Sequence, residues 1–448
     1  MRRARTRTAA AGAALASLLL AACGTASGDG GDEVTLTYWL WDANQQPAQE
    51  QCAEAFEAQH PDINIKIEQR GWDFYWSALT LGMVSEAAPD VFTDHLARYP
   101  DYVTRGLLLP LDEFAERDNL QFDIYEEGLA DLWIGPDGHR YGLPKDFDAI
   151  ALFYNKDMAR EAGITEEQMN NLTWNPEDGG TFEDVIARLT VDENGVRGDE
   201  PGFDKNNVRT YGIWPDRSGG DSHGQTQWSY LAATNGFTYT DENPWGTEYH
   251  YGDESFLEVI GWLRGLIEKG YAPSWEQQEG VTWSDQLAAG RTAMASNGSW
   301  MTGTVFGYEN LNAGIAPTPI GPSGERATMF NGLADSIYAG TEHPEEAWEW
   351  VRFLGSAECQ RLVAEHGVVL PAVSEAREVA ERTFAEAGID IAPFTQHVED
   401  GTTVLYPITE HPTDVLALLR PALEAVLSGQ QPVESLRGVN QEINELFE

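Results

Sequence analysis

Strands and helices alternate along the first part of the chain, and this alternation constrains the fold more than any other feature. Residues 34–41 are rich in β-branched and aromatic side chains, as expected of a strand, and residues 47–59 carry apolar side chains at helical spacing. Period-two alternation at 63–67 predicts a second strand, residues 74–85 a helix, and residues 88–92 a short buried strand. The pattern favours an α/β fold with doubly wound sheets, because crossover helices cover both faces of such a sheet.

The same alternation continues along the chain. A further strand is predicted at residues 149–154, and the helix that starts at Asn155 ends at Gly163. Residues 172–221 are rich in turn-forming residues and predict loops. Other helices are predicted at residues 99–105, 255–269, 284–289, 344–354, 357–365 and 414–427.

Composition and charge indicate a large globular protein with a strongly acidic surface. The 448 residues are 42% hydrophobic, which suits two or three domains with ample core, and the formal net charge is −45. Such a surface repels nucleic acid and anionic lipid headgroups and disfavours an anionic ligand. The acidic residues are spread along the chain, so the charge indicates solubility or salt adaptation and no specific partner.

The N-terminus carries an export signal. Four Arg precede an apolar stretch at 9–22, which is too short for a permanent membrane span and ends in Leu20-Ala-Ala-Cys23. This tetrapeptide resembles the lipobox of bacterial lipoproteins, which implies a signal peptide at 1–22 and a lipid-modified Cys23 on the outer face of the cytoplasmic membrane. Residues 23–33 then form a flexible tether. The alternative is an ordinary thiol at Cys23, near the end of a conventional signal peptide.

Two cysteines remain, Cys52 and Cys359, in an oxidising extracytoplasmic setting. A disulfide and a pair of buried free thiols both fit, because a separation of over 300 residues does not reveal proximity. The nine His lack the spacing of metal ligands, and no phosphate-binding Gly-x-x-x-x-Gly-Lys-Ser/Thr run occurs. We therefore expect no metal, no cofactor and no ATP site on this chain.

Several segments, spread in order over nearly the whole chain, resemble the extracellular sugar-binding proteins of ABC importers, typified by the maltodextrin-binding protein. These segments are Ala88-Pro-Asp-Val-Phe92, Arg105-Gly-Leu-Leu-Leu109, Tyr141-Gly-Leu-Pro144, Leu152-Phe-Tyr-Asn-Lys-Asp157, Ala289-Gly-Arg-Thr-Ala-Met294, Asn297-Gly-Ser-Trp300 and Ala316-Pro-Thr-Pro319.

The resemblance implies a periplasmic-binding-protein-like fold with two α/β lobes and a ligand cleft between them. One lobe would comprise residues 34–147 plus 332–391, and the other residues 148–331 plus 392–448. Cys52 and Cys359 would then share a lobe, which makes a disulfide between them plausible.

The resemblance also implies how the protein works. A monomer closes on a sugar and delivers it to a two-subunit permease powered by a separate ATPase. The protein contacts the membrane only through its N-terminal lipid, binds no nucleic acid and has no catalytic residues.

Candidate ligand-binding residues come from strand ends and from the matched segments. Trp41 and Asp42 follow the first strand at its carboxyl end, where ligands lie in such sheets. Asp94 and Arg98 follow the strand at 88–92, where the family carries polar ligand contacts. Asp94 could instead cap the next helix.

The remaining candidates follow the family pattern more closely. Asp148 matches a cleft-facing acidic position, and Trp300 matches the stacking aromatic of the family's Asn-Gly-Pro-Trp motif. Trp228 precedes a predicted helix of the second lobe, while Asn331 and Asp335 lie on the return crossing between the lobes. For Trp228 and Trp300 the alternative is packing in a core.

Sugar chemistry supports these choices. A sugar offers C–H faces for aromatic rings and hydroxyls for carboxylates, amides or Arg, and this chain has 15 Trp. Residues 415–417 are Val-Leu-Ala where maltodextrin binders commonly have aromatics, so a mono- or disaccharide is favoured over a long glucan. The alternatives are a secreted carbohydrate enzyme using Asp146 and Asp148, the same fold binding a glycerol phosphodiester, polyamine or peptide, and a surface adhesin.

Overall fold

The computed structural model describes residues 33–216 and 223–448, without the side chain of Asp73. The signal peptide, Cys23 and nearly all of the tether lie outside the described residues. The strands are β1 Val34–Leu40, β2 Ile63–Gln69, β3 Val91–His95, β4 Leu143–Asp148, β5 Ile150–Asn155, β6 Val191–Asp192, β7 Val208–Thr210, β8 Trp214–Pro215, β9 Met294–Gly298, β10 Ala313–Ala316, β11 Thr328–Ile337, β12 Leu370–Pro371 and β13 Thr403–Leu405.

Helices cover both sheets. They are α1 Gln46–Gln59, α2 Trp72–Val84, α3 Tyr99–Thr104, α4 Asp112–Arg117, α5 Lys156–Ala162, α6 Glu166–Asn170, α7 Gly180–Leu189, α8 Ser229–Thr234, α9 Glu254–Lys269, α10 Trp283–Ala288, α11 Thr302–Phe306, α12 Pro344–Leu354, α13 Ala357–His366, α14 Ser374–Glu386, α15 Ala392–Glu399, α16 Pro412–Leu427 and α17 Leu436–Asn444. None of the helices in the described part of the chain is long and apolar enough to cross a membrane.

A seven-stranded sheet organises the first lobe, with the order β2-β1-β3-β11-β4-β12 and β13 paired to the start of β11. The pairs β1–β2 and β1–β3 are parallel, whereas β11 runs antiparallel to both β3 and β4. Alternate residues of β1 point to opposite faces: Leu36 and Tyr38 pack beneath α1 and α12, and Trp39 packs beneath α2. The sheet is thus covered on both sides, as a doubly wound fold requires.

The second lobe is built on a smaller sheet, with the order β10-β5-β9-β8. Its central strand β5 pairs antiparallel with both neighbours, and only β8–β9 is parallel. Both sheets are therefore mixed, although the βα alternation predicts parallel pairing. The reason is that β11 in the first sheet and β5 in the second belong to segments that cross between the lobes, and each runs antiparallel to both of its neighbours there.

A disulfide joins Cys52 on α1 to Cys359 on α13, with Cα atoms 5.2 Å apart. Both residues are buried in the core between these helices and the first sheet. The tertiary fold brings together two helices that are far apart in the chain.

Local signals account well for individual elements. The Asn155 side chain accepts hydrogen bonds from the backbone N–H groups of Asp157 and Met158, and Gly163 ends α5 in a left-handed conformation with φ 77°. Residues 172–221, predicted to be loops, also contain α7, whose buried Phe182, Ile186 and Leu189 lie at helical spacing.

Candidate functional site

The two lobes meet where the chain crosses between the sheets. β4 ends at Asp148 and β5 begins at Ile150, so a single residue separates the two sheets along this segment. The return strand β11 places Asn331 opposite Asp148 in the ladder, and the backbone N–H of Ile150 donates to the Thr328 hydroxyl at 2.6 Å. The polar side chains of both crossings therefore come together.

An aromatic cluster lies beside this crossing, at the carboxyl end of β1. The half-buried Trp41 ring has its centroid 5.2 Å from that of Trp72, 5.2 Å from Trp76 and 6.2 Å from His95. Trp72 and Trp76 are one helical turn apart at the start of α2, so both rings reach the same side. We call Trp41, Trp72, Trp76 and His95 the aromatic cluster. It presents large apolar ring surface next to polar groups.

A polar cluster, centred on the buried side chain of Lys145, adjoins the aromatic cluster. The buried ammonium group of Lys145 lies 2.6 Å from Oδ2 of Asp146 and also bonds the side chain of Gln45. Burial lowers the pKa of Lys145, but the carboxylates of Asp146, Asp335 and Asp42 outweigh this effect and raise it above its usual value. Lys145 is therefore charged and neutralises part of the surrounding negative charge.

The carboxylates around Lys145 are unequal in their hydrogen bonding. Asp42 accepts hydrogen bonds from the backbone of Asn44 at 2.9 Å and from Gln45 at 3.3 Å, yet burial raises its pKa. Burial, and then the nearby charge of Asp146, raise the pKa of Asp148 well above its usual range. Oδ1 of the fully buried Asp146 has no hydrogen-bond partner among the described residues. Acceptor capacity is thus left for a ligand's hydroxyl groups.

His95 and Asn331 connect the aromatic cluster to the polar cluster. Nε2 of His95 lies 2.9 Å from the Asn331 amide, and Nδ1 accepts the backbone N–H of Ala97 at 3.0 Å. Burial lowers the pKa of His95 to about 3, so the ring is neutral at physiological pH. A neutral ring suits an uncharged ligand better than an imidazolium would.

Trp300 approaches from the second lobe. It lies in a short 3-10 turn, Ser299–Met301, directly after β9, and the Ser299 backbone donates to the Ala149 carbonyl at 3.0 Å. A Cβ atom at Gly298 would lie 1.7 Å from the Trp300 ring, so only glycine allows the ring to fold over this strand end. The half-buried Trp300 is thereby held at the crossing between the lobes.

Side-chain contacts also bridge the lobes away from the crossing. Nε1 of Trp245, in the second lobe, donates to the Ile134 carbonyl of the first lobe at 3.0 Å, and the Trp245 ring centroid is 5.9 Å from that of Tyr99. Asn44, two residues after Asp42, reaches the Thr304 hydroxyl at 3.5 Å. These contacts hold the lobes against each other in the present conformation.

Three predicted residues are fully buried inside a lobe in the present conformation, and their role in ligand binding stays a prediction. Asp335 accepts hydrogen bonds from Tyr38 at 2.8 Å and Thr93 at 3.2 Å within the first lobe, where burial raises its pKa to about 7. Trp228 is fully buried and packs on Phe256, with ring centroids 4.8 Å apart, in the aromatic core of the second lobe.

Asp94 is the third. It lies within β3 and caps no helix, because α3 begins five residues later with Arg98 at its N-cap. The carboxyl is fully buried, and burial raises its pKa to about 8. Arg98 itself is half-buried, with its guanidinium 5.9 Å from the Trp76 ring centroid, and remains close to the aromatic cluster.

Lys145, Gln45, His95, Trp72 and Trp76 were not predicted from sequence. The pair Trp72 and Trp76 carried a usable signal, because two Trp at helical spacing directly after a strand place two rings at the ligand edge of the sheet. Lys145 and His95 carried no such sequence signal, because strand register determines which side chains they contact. In the described ranges 33–216 and 223–448, no group of three or more metal-ligating side chains converges.

Comparison with known proteins is consistent with this geometry. The model of the bacterial extracellular solute-binding protein family matches residues 41–361. The chain belongs to this family. It is 25% identical over 386 residues to the maltooligosaccharide ABC transporter solute-binding lipoprotein of Streptococcus pneumoniae serotype 4, covering 82% of this chain and 81% of that protein. It is 24% identical over 382 residues to the maltodextrin-binding protein MdxE of Bacillus subtilis, covering 81% and 79%.

Solved structures of other binding proteins share the fold. UspC of M. tuberculosis has a TM-score of 0.70 and 26% identity, covering 93% of this chain and 100% of that one. The ABC substrate-binding protein Lmo0181 of Listeria monocytogenes, in complex with cycloalternan, has a TM-score of 0.78 and 19% identity, covering 93% and 99%. The two-lobed architecture of this solute-binding protein is thus that of its family.

Proposed function

We propose that this chain captures a sugar outside the cell and delivers it to an ABC importer. The observation that carries the proposal is the contact between the aromatic cluster and the Lys145 polar cluster at the crossing of the lobes. Trp rings suit the C–H faces of a sugar, while Asp148, Asp42 and Asn331 suit its hydroxyls. Relatives named for maltooligosaccharide, maltodextrin, lactose and arabinooligosaccharide binding support the ligand class.

The expected strength of binding follows from these groups. Burying about 100 Å² of apolar sugar surface against Trp41 or Trp300 contributes roughly 2.5 kcal/mol. Each hydrogen bond to a charged group such as Lys145 adds about 1.5–3 kcal/mol. Two stacked rings and a few such bonds reach a micromolar dissociation constant, about −8 kcal/mol.

Cleft closure is the proposed mechanism. We assign residues 34–147 plus 332–391 to one lobe and residues 148–331 plus 392–448 to the other; within the last range, β13 pairs with the start of β11 at the crossing and so joins the sheet of the first lobe. The hinge then comprises three crossings, near Asp148, near 331–332 and near 392–393. A sugar that contacts both lobes favours the closed state by its differential affinity for that state.

We further propose that the chain is anchored and acts as a monomer. Cleavage after residue 22 leaves a lipid-bearing Cys23 and the tether 23–33, and changes the formal net charge from −45 to −49 because residues 1–22 hold four Arg and no acids. A two-subunit permease with a separate ATPase takes the sugar from the closed protein. This chain itself carries out no chemical step.

A thermal unfolding screen tests the proposal. Soluble protein starting at residue 24 is mixed with mono-, di- and oligosaccharides of glucose, galactose, arabinose and mannose, and with amino acids, polyamines and glycerol phosphates. A ligand present at 100 times its dissociation constant stabilises the fold by about 2.7 kcal/mol. A rise in Tm with one sugar class, without release of a hydrolysis product, supports sugar capture.

Other outcomes of the screen contradict the proposal in different ways. A rise with a polyamine or glycerol phosphate alone assigns another solute to the same cleft. Steady turnover of a glycoside identifies an enzyme. Absence of any shift over the whole panel favours an adhesin.

A further inference from the structure

Helix α2 carries an exposed apolar stripe on its outer face. Phe74, Leu81 and Val84 are 61%, 68% and 74% exposed, and they are three of the four large hydrophobic side chains found exposed in the described part of the chain. The fourth, Val281, is 37% exposed and lies in the second lobe. We call Phe74, Leu81 and Val84 the α2 stripe.

The stripe itself contains no charged residue; the exposed Ser77 lies between Phe74 and Leu81, and the Arg70 guanidinium lies 5.8 Å from the Phe74 ring centroid. At 100° per residue, positions 74, 77, 81 and 84 fall within about 80° of the helix circumference. No charged residue occurs from Phe74 to Ser85, although 23% of the chain is charged and a segment of this length would carry about three charges on average. Isolated exposed apolar residues are ordinary, but three on one face of one helix form a patch of the kind that marks an interaction site.

The opposite face of α2 belongs to the ligand site. Trp72 and Trp76, from the first two turns, form the aromatic cluster with Trp41 and His95. Tyr75 is fully buried and donates from its hydroxyl to the Thr93 carbonyl at 2.6 Å. A partner seated on the α2 stripe would therefore contact an element whose other side touches the sugar.

The charge of the protein and of α2 distinguishes between the partners that could bind the α2 stripe. A second copy would bring together two molecules of formal net charge −49 each, and an uncharged stripe offers nothing to offset that repulsion. A helix that lies on a lipid surface is typically rich in Lys and Arg on its polar face, and α2 contains neither. The remaining candidate partner is an apolar surface of another protein. We propose that the α2 stripe is the surface on which the extracytoplasmic face of the importer's transmembrane subunits docks, an inference that rests on the proposed function.

Substitutions on the stripe separate docking from ligand binding. The triple variant Phe74→Gln, Leu81→Gln, Val84→Gln removes the apolar surface, and Val281→Gln is the matched control elsewhere on the molecule. Full-length variants replace the chromosomal copy in the source bacterium, and uptake of the radiolabelled panel sugar that binds the wild type is measured. The same soluble variants are titrated with that sugar.

Docking through the stripe predicts that the triple variant binds sugar within twofold of the wild type, whereas uptake falls at least about tenfold, equivalent to 1.4 kcal/mol. The control variant Val281→Gln should keep wild-type sugar binding and wild-type uptake. If the triple variant fails to fold, sugar binding is lost as well, and the single variant Leu81→Gln, with a smaller loss of uptake at unchanged affinity, carries the test.

Three results overturn the docking proposal. The first is uptake within twofold of the wild type in a triple variant that still binds sugar. The second is a wild-type dimer in sedimentation that the triple variant does not form, and the third is stripe-dependent binding of the lipid-free protein to phosphatidylcholine vesicles. A wild type that binds no sugar or supports no uptake refutes the proposed function instead, and the docking assignment with it.

Discussion

Replacing Asp94 by Asn should change the pH dependence of stability. Burial without a cationic partner raises the pKa of Asp94 to about 8, from 3.8. The folded state therefore keeps a proton that the unfolded state releases, so this group's contribution to stability falls as pH rises from about 4 to about 8. The slope is about 1.4 kcal/mol per pH unit, or about 2.7 kcal/mol between pH 5 and pH 7.

The variant Asp94→Asn mimics the protonated carboxyl and does not titrate. Its side-chain oxygen can still accept the His95 backbone N–H, which the carboxylate accepts at 2.8 Å. Relative to the wild type, the variant should therefore gain about 2–3 kcal/mol of unfolding free energy on going from pH 5 to pH 7. Titrating groups that do not interact with Asp94 affect both proteins alike and cancel, whereas Asp335, whose charge also raises the pKa of Asp94, titrates in the same pH range and contributes to the difference.

Urea unfolding followed by Trp fluorescence, without ligand, measures this difference at the two pH values. Asp123→Asn, at an exposed position, is the control and should follow the wild-type profile. Parallel profiles for Asp94→Asn and the wild type, within about 0.5 kcal/mol, would show that Asp94 is ionised in the folded state, and the burial argument would be wrong.

Three further predictions concern binding and the disulfide. Trp41→Ala, which removes about 100 Å² of stacking surface, should weaken sugar binding about 10- to 100-fold by calorimetry, and unchanged affinity would remove Trp41 from the site. Trp245→Phe removes the hydrogen bond to the Ile134 carbonyl and keeps an aromatic ring beside Tyr99, so affinity should fall about 2- to 12-fold; equal or tighter binding would show that the contact does not favour the bound state over the free one. Reducing the Cys52–Cys359 disulfide opens a cross-link of sequence separation 307 and should cost up to about 5 kcal/mol of unfolding free energy. Alkylation of both cysteines without reductant, seen by mass, would contradict that bond.

Secondary structure was largely readable from local sequence. The strand at 34–41 and the helix at 47–59 correspond to β1 and α1, and the stop at Gly163 is observed in α5. Periodicity and capping are local properties, which explains this success. The antiparallel insertion of β11 was not predictable, because strand direction depends on where a segment enters the sheet and not on its own residues.

The geometry of the candidate site was only partly predictable for the same reason, and the binding role of its residues stays a prediction. Trp41 and Asp42 follow a strand end that any parallel sheet exposes, and Asp148 and Asn331 lie on segments that the family pattern marks as crossings. The aromatic cluster and the charge balance around Lys145 required the register that sets β4 against β11. Conversely, Asp335 and Trp228 have residue types typical of a sugar site but are packed inside the lobes, and no local signal reports which face of an element is covered.

The sequence by itself determined the α/β class, the acidic character of the chain and the resemblance to sugar-binding proteins. Each of these depends on composition or on patterns a few residues long. Only the tertiary structure decided that Cys52 meets Cys359, that Lys145 lies among three aspartates, and that one face of α2 contributes to the aromatic cluster while the other is exposed. Those facts depend on contacts between segments far apart in the chain, whose free energy exists only once the two sheets are assembled.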